Sequence, residues 1–277
     1  MKPPKENAFQ PAVTIDAEKI TTKFRVEQGV FQEVNVSGFA HIDQEVAFFT
    51  QIAALLRKDD VILDFGAGRG EFSYDDPSRY RRWLQNFKGR VSHVDGCDMD
   101  PVVLKNETLD KAAIIEPGQS LPYEDNRFDL VVCRYVFEHV DDPEWFAREL
   151  LRVTKPGGWI CALTPNKWGY VALAARSIPN SAHTGVLRRI QPHRKDVDVF
   201  PTVYKLNRPK DVRRYFGHGA KLYHYSTSAV PSYHFGSPLV FRLALLLHRF
   251  LPPALNLVLG LFIKKHEDSE THDPRAY

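Results

Sequence analysis

Residues 61–70 read VILDFGAGRG, an apolar run interrupted by one acid and then glycines at 66, 68 and 70. Glycine lets a backbone approach a ligand closely and offer its N–H groups, and a helix N-terminus behind such a loop favours negative charge. Three ligand chemistries compete for the loop. A dinucleotide site wants Gly-x-Gly-x-x-Gly, yet the place of its third glycine is held by Glu71, and a carboxylate repels a pyrophosphate. A Walker loop needs Gly-Lys-Ser/Thr, a run this chain lacks. What remains is a ligand without phosphate that turns a cationic group toward Asp64.

Such a loop works only if strands and helices hold it, and the chain supplies them in alternation. The spacing of Ile42, Val46, Phe49 and Ala53 predicts an amphipathic helix from His41 to about Arg57, ahead of the buried strand VILDF. A helix over 78–88 and a strand ending in acids at VSHVDGCDMD come next. PVVLKNETLDKA reads as a helix with Pro101 in its first turn, where a missing N–H matters least. AAIIE and FDLVVCRYVF read as strands, DDPEWFARELLRVT as a helix, and KPGG as the turn into the strand WICALT. This rhythm indicates an α/β fold, a doubly wound and mostly parallel sheet with right-handed crossovers.

After Thr164 the rhythm breaks. About forty residues with four prolines form an insertion at about 165–208, and RPKDVRRYFGHGAKLYHYSTS then restores a helix, a glycine turn and a strand. The apolar tail reads as a helix over 238–250 and a final strand at LVLGLFIKK. Leu239 to Ile263 is long enough to span a bilayer, but Arg242, His248, Arg249 and Pro252-Pro253 interrupt it. Peripheral membrane contact through that helix and nearby cations is the second reading. Residues 1–40 read as an N-terminal extension and 41–277 as the domain carrying the insertion.

DFGAGRG resembles the Asp/Glu-x-Gly-x-Gly-x-Gly signature of class I S-adenosylmethionine-dependent methyltransferases. GCDMDP, LPYEDNRFDLVVCRYVFEHVDDP and ELLRVTKPGGWICALTPN follow in that family's order, close to the pattern of the group that includes quinone-biosynthesis enzymes. The resemblance implies a Rossmann-like seven-stranded sheet with helices on both faces, and S-adenosylmethionine as cofactor. It implies that Gly66, Ala67, Gly68 and Gly70 wrap the methionine portion while Asp64 supports its amino group. Asp98 would accept the ribose hydroxyls, two hydrogen bonds to one carboxylate, and Met99 would flank the adenine. As a structural residue Asp98 would cap a helix, a place Asp100 fills better. The third-strand loop departs from the pattern: where an acid and a small residue stand four positions before Leu121-Pro122, this chain has Pro117, Gly118 and Gln119. Backbone groups at Gly118, the Gln119 amide or Glu116 are the available substitutes.

Methyl transfer from a sulfonium is an in-line displacement, and for a hydroxyl acceptor the protein must also take a proton. Candidates follow the fourth strand: Arg134, Tyr135, Glu138 and His139. His139 suits a general base, with Glu138 beside it; alternatively the histidine packs at the next helix and Glu138 is a solvated neighbour. Some relatives hold a divalent cation with Glu-x-x-Glu-His here, but Tyr135 replaces the first glutamate, so no metal is expected.

The net charge of +3 is unevenly spread: from Lys167 to Lys221 twelve Lys or Arg face three Asp, a balance of +9 against −6 elsewhere. Residues 187–195 with Arg208, Lys210, Arg213 and Arg214 could form a cationic rim for an anionic acceptor, small or borne on a lipid or glycan. Nucleic acid is disfavoured, since no recognised module accompanies the charge. No apolar leader is visible at the N-terminus, so cytoplasmic placement is the default, with peripheral membrane contact as a variant. Cys97, Cys133 and Cys161 lack metal-ligand spacing and read as buried hydrophobes. O-methylation is the leading activity; a nicotinamide-dependent oxidoreductase and a non-catalytic binding protein are the alternatives.

Overall fold

The computed structural model describes residues 14–177 and 202–267, with the side chains of 174–177 excepted. A seven-stranded sheet has the order β3-β2-β1-β4-β5-β7-β6. Its strands are β1 (Val61–Phe65), β2 (His93–Asp98), β3 (Lys111–Ile114), β4 (Phe128–Arg134), β5 (Thr154–Pro165), β6 (Ala220–Thr227) and β7 (Val258–Lys265). β1 to β5 pair in parallel, and β7 inserts antiparallel between β5 and β6. The apolar tail therefore ends inside the sheet, where Leu259, Leu261 and Ile263 are buried.

The N-terminal segment forms α1 (Thr22–Val30) and the single turn α2 (Val34–Ser37), followed by α3 (Gln44–Leu55). Asp43 caps α3 by accepting from the amides of Glu45 and Val46. After β1 come the turn α4 (Phe72–Asp75) and α5 (Arg79–Gln85), and α3 and α5 cover one face of the sheet through Phe48, Phe49, Ile52 and Leu84. The other face is covered by α6 (Pro143–Val153) and, beyond α7 (Tyr170–Ser177), by α8 (Pro209–Phe216). Asp142 caps α6, Pro143 follows it, and Arg152 lies in the last turn, so charge and capping agree with the helix dipole. A third cluster joins Phe24, Val26 and Val34 of the N-terminal helices to Val230 and to Phe241 of α9 (Pro238–Phe250). The cysteines at 97, 133 and 161 are buried and unpaired.

Two local expectations are corrected. PVVLKNETLDKA is a short 3₁₀ turn, Pro101–Lys105, and no longer helix. Asn106 ends it: its side-chain oxygen takes the amide and the hydroxyl of Thr108, an alternative to helical bonding. The strand β5 already begins at Thr154, and Lys155–Gly158 form a bulge within it: Phe128 faces Thr154 whereas Leu130 faces Trp159. Of the insertion at about 165–208, residues 178–201 lie outside the described residues, including the basic run 187–195.

Candidate functional site

The strand order turns at β1, whose neighbours β2 and β4 lead to opposite edges, so the loops after these strands meet at one crevice. The first loop is held by Gly66 and Ala67, whose amides both donate to the Cys97 carbonyl at 2.8 and 3.1 Å. Gly66, Gly68 and Gly70 all have positive φ, at 74°, 50° and 68°. A Cβ on Gly66 would lie 2.5 Å from Val136 Cγ2, and one on Gly70 would lie 2.5 Å from Asn106 Oδ1. A Cβ on Gly68 would meet only Glu71 Oε2, at an ordinary contact distance of 3.9 Å.

The loop borders a cavity of about 1260 Å³. Asp64, Gly66, Ala67, Gly68, Asp98, Met99 and Gly118 line it, together with Glu138 and His139. Gly70 and Gln119 do not. Gly70 packs against Asn106 behind the loop. The Gln119 side chain is exposed, its amide donates to Glu116 O, and its carbonyl takes the Trp145 indole N–H. Glu116 is exposed and also outside the cavity wall, so Ile115, Pro117 and Gly118 form this side instead. Asp98 is half-buried and accepts from Gly68 N and Asp100 N, each at 2.9 Å, while Asp100 caps the following turn.

Burial pushes the Asp64 carboxyl up to about 7; Glu71 and Asp98 add to the rise and Arg134 opposes it. Arg134, at the end of β4, is itself neutralised: it donates to Glu71 and to Gln85 Oε1 at 3.0 Å, and Glu45 lies 3.6 Å away. Glu71, which disfavours pyrophosphate in sequence, thus sits in an ion pair beside the loop. Tyr135 follows with φ 57°, its amide on Leu163 O and its phenol bonded to Gln44, a buried group whose pKa is driven upward by desolvation.

Glu138 is buried, contrary to a solvated neighbour. Its carboxylate accepts from the Thr164 hydroxyl at 2.9 Å, and Asn207 donates to that same hydroxyl at 2.7 Å. Its backbone carbonyl takes the amides of Val203 and Tyr204, which anchors the returning chain. His139 Nε2 lies 4.0 Å from Glu138 Oε1, a charge-pair distance longer than a hydrogen bond. The expected cationic rim changes too: Arg208 pairs with Asp211, and none of Arg208, Lys210, Arg213 or Arg214 lines the cavity. Among the described residues the cationic side chains that line it are Arg134 and Lys23 of α1, whose Nζ is 3.5 Å from Ser232 Oγ. Among the described residues no cluster of three His, Cys, Asp or Glu could hold a metal.

Sequence reasoning missed Asn106, whose amide donates to the carbonyls of Ala67 and Gly68 at 3.0 and 3.3 Å. It also missed Lys23, Gln44 and Glu45, because their approach to the loops depends on how the N-terminal helices fold back. An asparagine inside an apparent helix was the signal available for Asn106.

The donor side fits S-adenosylmethionine: positive-φ glycines that a Cβ would disrupt, one acid at the loop entry and another at the end of β2. Residues 63–162 match the family model described as a methyltransferase domain. Over 123 residues the chain is 32% identical to an uncharacterized methyltransferase of Schizosaccharomyces pombe, covering 40% of this chain and 42% of that protein. It is 39% identical over 125 residues to norajmaline N-methyltransferase of Rauvolfia serpentina, 44% of this chain and 42% of that one. Ubiquinone/menaquinone biosynthesis C-methyltransferase UbiE of Neisseria meningitidis is 29% identical over 123 residues, 43% and 48% of the two chains. Each match spans less than half of the relative's length. Over this core, residues 63–162, the chain is similar to methyltransferases, and the match is confined to that core.

Proposed function

We propose that the protein transfers a methyl group from S-adenosylmethionine to an oxygen of an acceptor with an apolar body, held in the outer part of the cavity. The observation that carries this reading is one continuous cavity lined by the glycine loop, Asp64 and Asp98 and also by His139. When bound, S-adenosylmethionine supplies a methyl group already activated on a sulfonium, so alignment and proton removal are left to the chain. Asp64 faces the cofactor's cationic amino group. Asp98 accepts the ribose hydroxyls with the lone pairs left over from Gly68 and Asp100. His139 takes the acceptor proton, and the nearby Glu138 carboxylate favours the imidazolium that forms.

The acceptor class follows from the lining contributed by Tyr170, Val171, Val203, Val230, Tyr233 and Leu257, all apolar or aromatic. Lys23 and Ser232 add a polar point there. The relatives named above act on carbon and nitrogen as well, so oxygen rests on His139 alone. Calorimetric titration with S-adenosylhomocysteine tests the donor side: saturable micromolar binding is expected, and no heat at millimolar ligand overturns the proposal. A protein that binds the product analogue yet never transfers a labelled methyl group would be a non-catalytic binding module.

A further inference from the structure

Helix α9 has two apolar faces. One holds Phe241 and His248, buried against the N-terminal helices and the cavity wall. No described residue covers the other: Leu239, Leu243, Leu246, Leu247 and Phe250 are 65%, 56%, 54%, 48% and 74% exposed. At ~100° per residue these side chains and Val240 share an arc of roughly 120°. Arg242 and Arg249, both exposed, lie along one edge of that arc. Phe235, 68% exposed, extends it before the helix.

We infer that this face docks the protein on an anionic lipid bilayer, with α9 lying in the plane of the interface. Charge complementarity selects this occupant. Between Asp211 and Glu267 the chain contains no acid, whereas Arg213, Arg214, Lys221, Arg242, Arg249, Lys264 and Lys265 all lie there. Apolar side chains flanked by arginines, with no carboxylate near them in sequence, match acyl chains beneath anionic headgroups. A second copy fits less well, because an antiparallel two-fold contact through α9 sets one Arg242–Arg249 edge beside its equivalent, and a parallel one leaves each edge without an acid from α9 to match. At thirteen residues the helix reaches ~20 Å, too short to cross a ~30 Å hydrocarbon core. No described helix is long and apolar enough to do so.

The position gives the docking a use. The inner face of α9 touches the cavity wall, where His248 Nε2 and the Tyr170 hydroxyl lie 2.9 Å apart, and Tyr170 lines the cavity. A membrane-bound α9 therefore places that end of the cavity next to the lipid. A lipid-borne acceptor rests on the methyltransferase reading; the docking itself does not.

The test is co-sedimentation of the full chain with vesicles of equal parts phosphatidylcholine and phosphatidylglycerol, and with phosphatidylcholine alone, with no cofactor added. The expected result is binding to the anionic vesicles that weakens with salt. Leu243→Glu with Leu247→Glu should lower the partition coefficient at least about tenfold. Arg242→Gln with Arg249→Gln should remove most of the preference for phosphatidylglycerol. Thermal melts and S-adenosylhomocysteine titration check each variant's fold, and Phe250→Ser serves as a second, milder probe. Wild-type protein that stays in the supernatant overturns the inference, as does a double glutamate variant that sediments like wild type. A wild-type dimer in analytical ultracentrifugation that the glutamates split, without vesicle binding, overturns it in favour of a second copy.

Discussion

The carboxylate of Asp98 accepts the amide of Gly68 at 2.9 Å, across thirty positions of sequence. The end of β2 and the middle of the glycine loop are thereby one unit. Asp98 is consequently both a candidate ligand group and a brace for the loop that faces the same ligand.

Asp98→Ala should weaken S-adenosylhomocysteine binding at least about tenfold, since hydrogen bonds to a charged acceptor contribute roughly 1.5–3 kcal/mol. Asp98→Asn keeps one acceptor oxygen and should fall between. Calorimetry reads both, and an unchanged Kd for the alanine variant removes Asp98 from the site.

Asp64 predicts a pH dependence. Its pKa in the fold is about 7, above the ordinary 3.8. Between those values the folded state keeps a proton that the unfolded chain has released, so this group's contribution to stability falls as pH rises through about 7. Asp64→Asn should therefore melt higher than wild type, by a margin that grows from about pH 4 to about 7 and then stays level. Cofactor binding has the opposite sign, because a cationic amino group prefers the ionised carboxylate. Wild-type affinity for S-adenosylhomocysteine should rise toward about pH 7, and the asparagine variant should bind weakly with little of that rise. Parallel pH profiles for the two proteins would remove Asp64 from the amino-group role.

His139→Ala should lower single-turnover transfer of a labelled methyl group by roughly a hundredfold while leaving S-adenosylhomocysteine affinity unchanged. A variant that loses cofactor affinity instead would make His139 a structural residue of the β4 loop.

Asn106→Ala removes the amide donors to Ala67 and Gly68 and leaves two loop carbonyls short of a partner in a buried place. The expected cost is about 1–3 kcal/mol in chemical denaturation, with weaker S-adenosylhomocysteine binding because Gly68 is then held through its amide by Asp98 alone. Full stability together with full affinity would show that the loop holds its own shape.

The chain's local pattern determined the strands, most helices and the identity of the donor loop. Alternating apolar runs and capping residues report which face of each segment must leave water, and that is a property of neighbours in sequence. Asp64, Gly66, Gly68 and Asp98 were singled out by their resemblance to a methyltransferase signature, and the structure places them on the cavity wall, at or just after the ends of β1 and β2. What the tertiary structure decided is which loops meet. The sheet order sets Arg134 between Glu71 and Glu45, buries Glu138 under Thr164, moves Gly70 and Gln119 off the cavity wall, and brings Lys23 to it. It also decided the environment of α9. Its sequence is apolar on two sides, and only packing showed that Phe241 faces the core while Leu243 and Phe250 face outward. Apolar periodicity says that a face can be buried; the neighbouring elements, set by long-range pairing, decide whether the protein itself buries it.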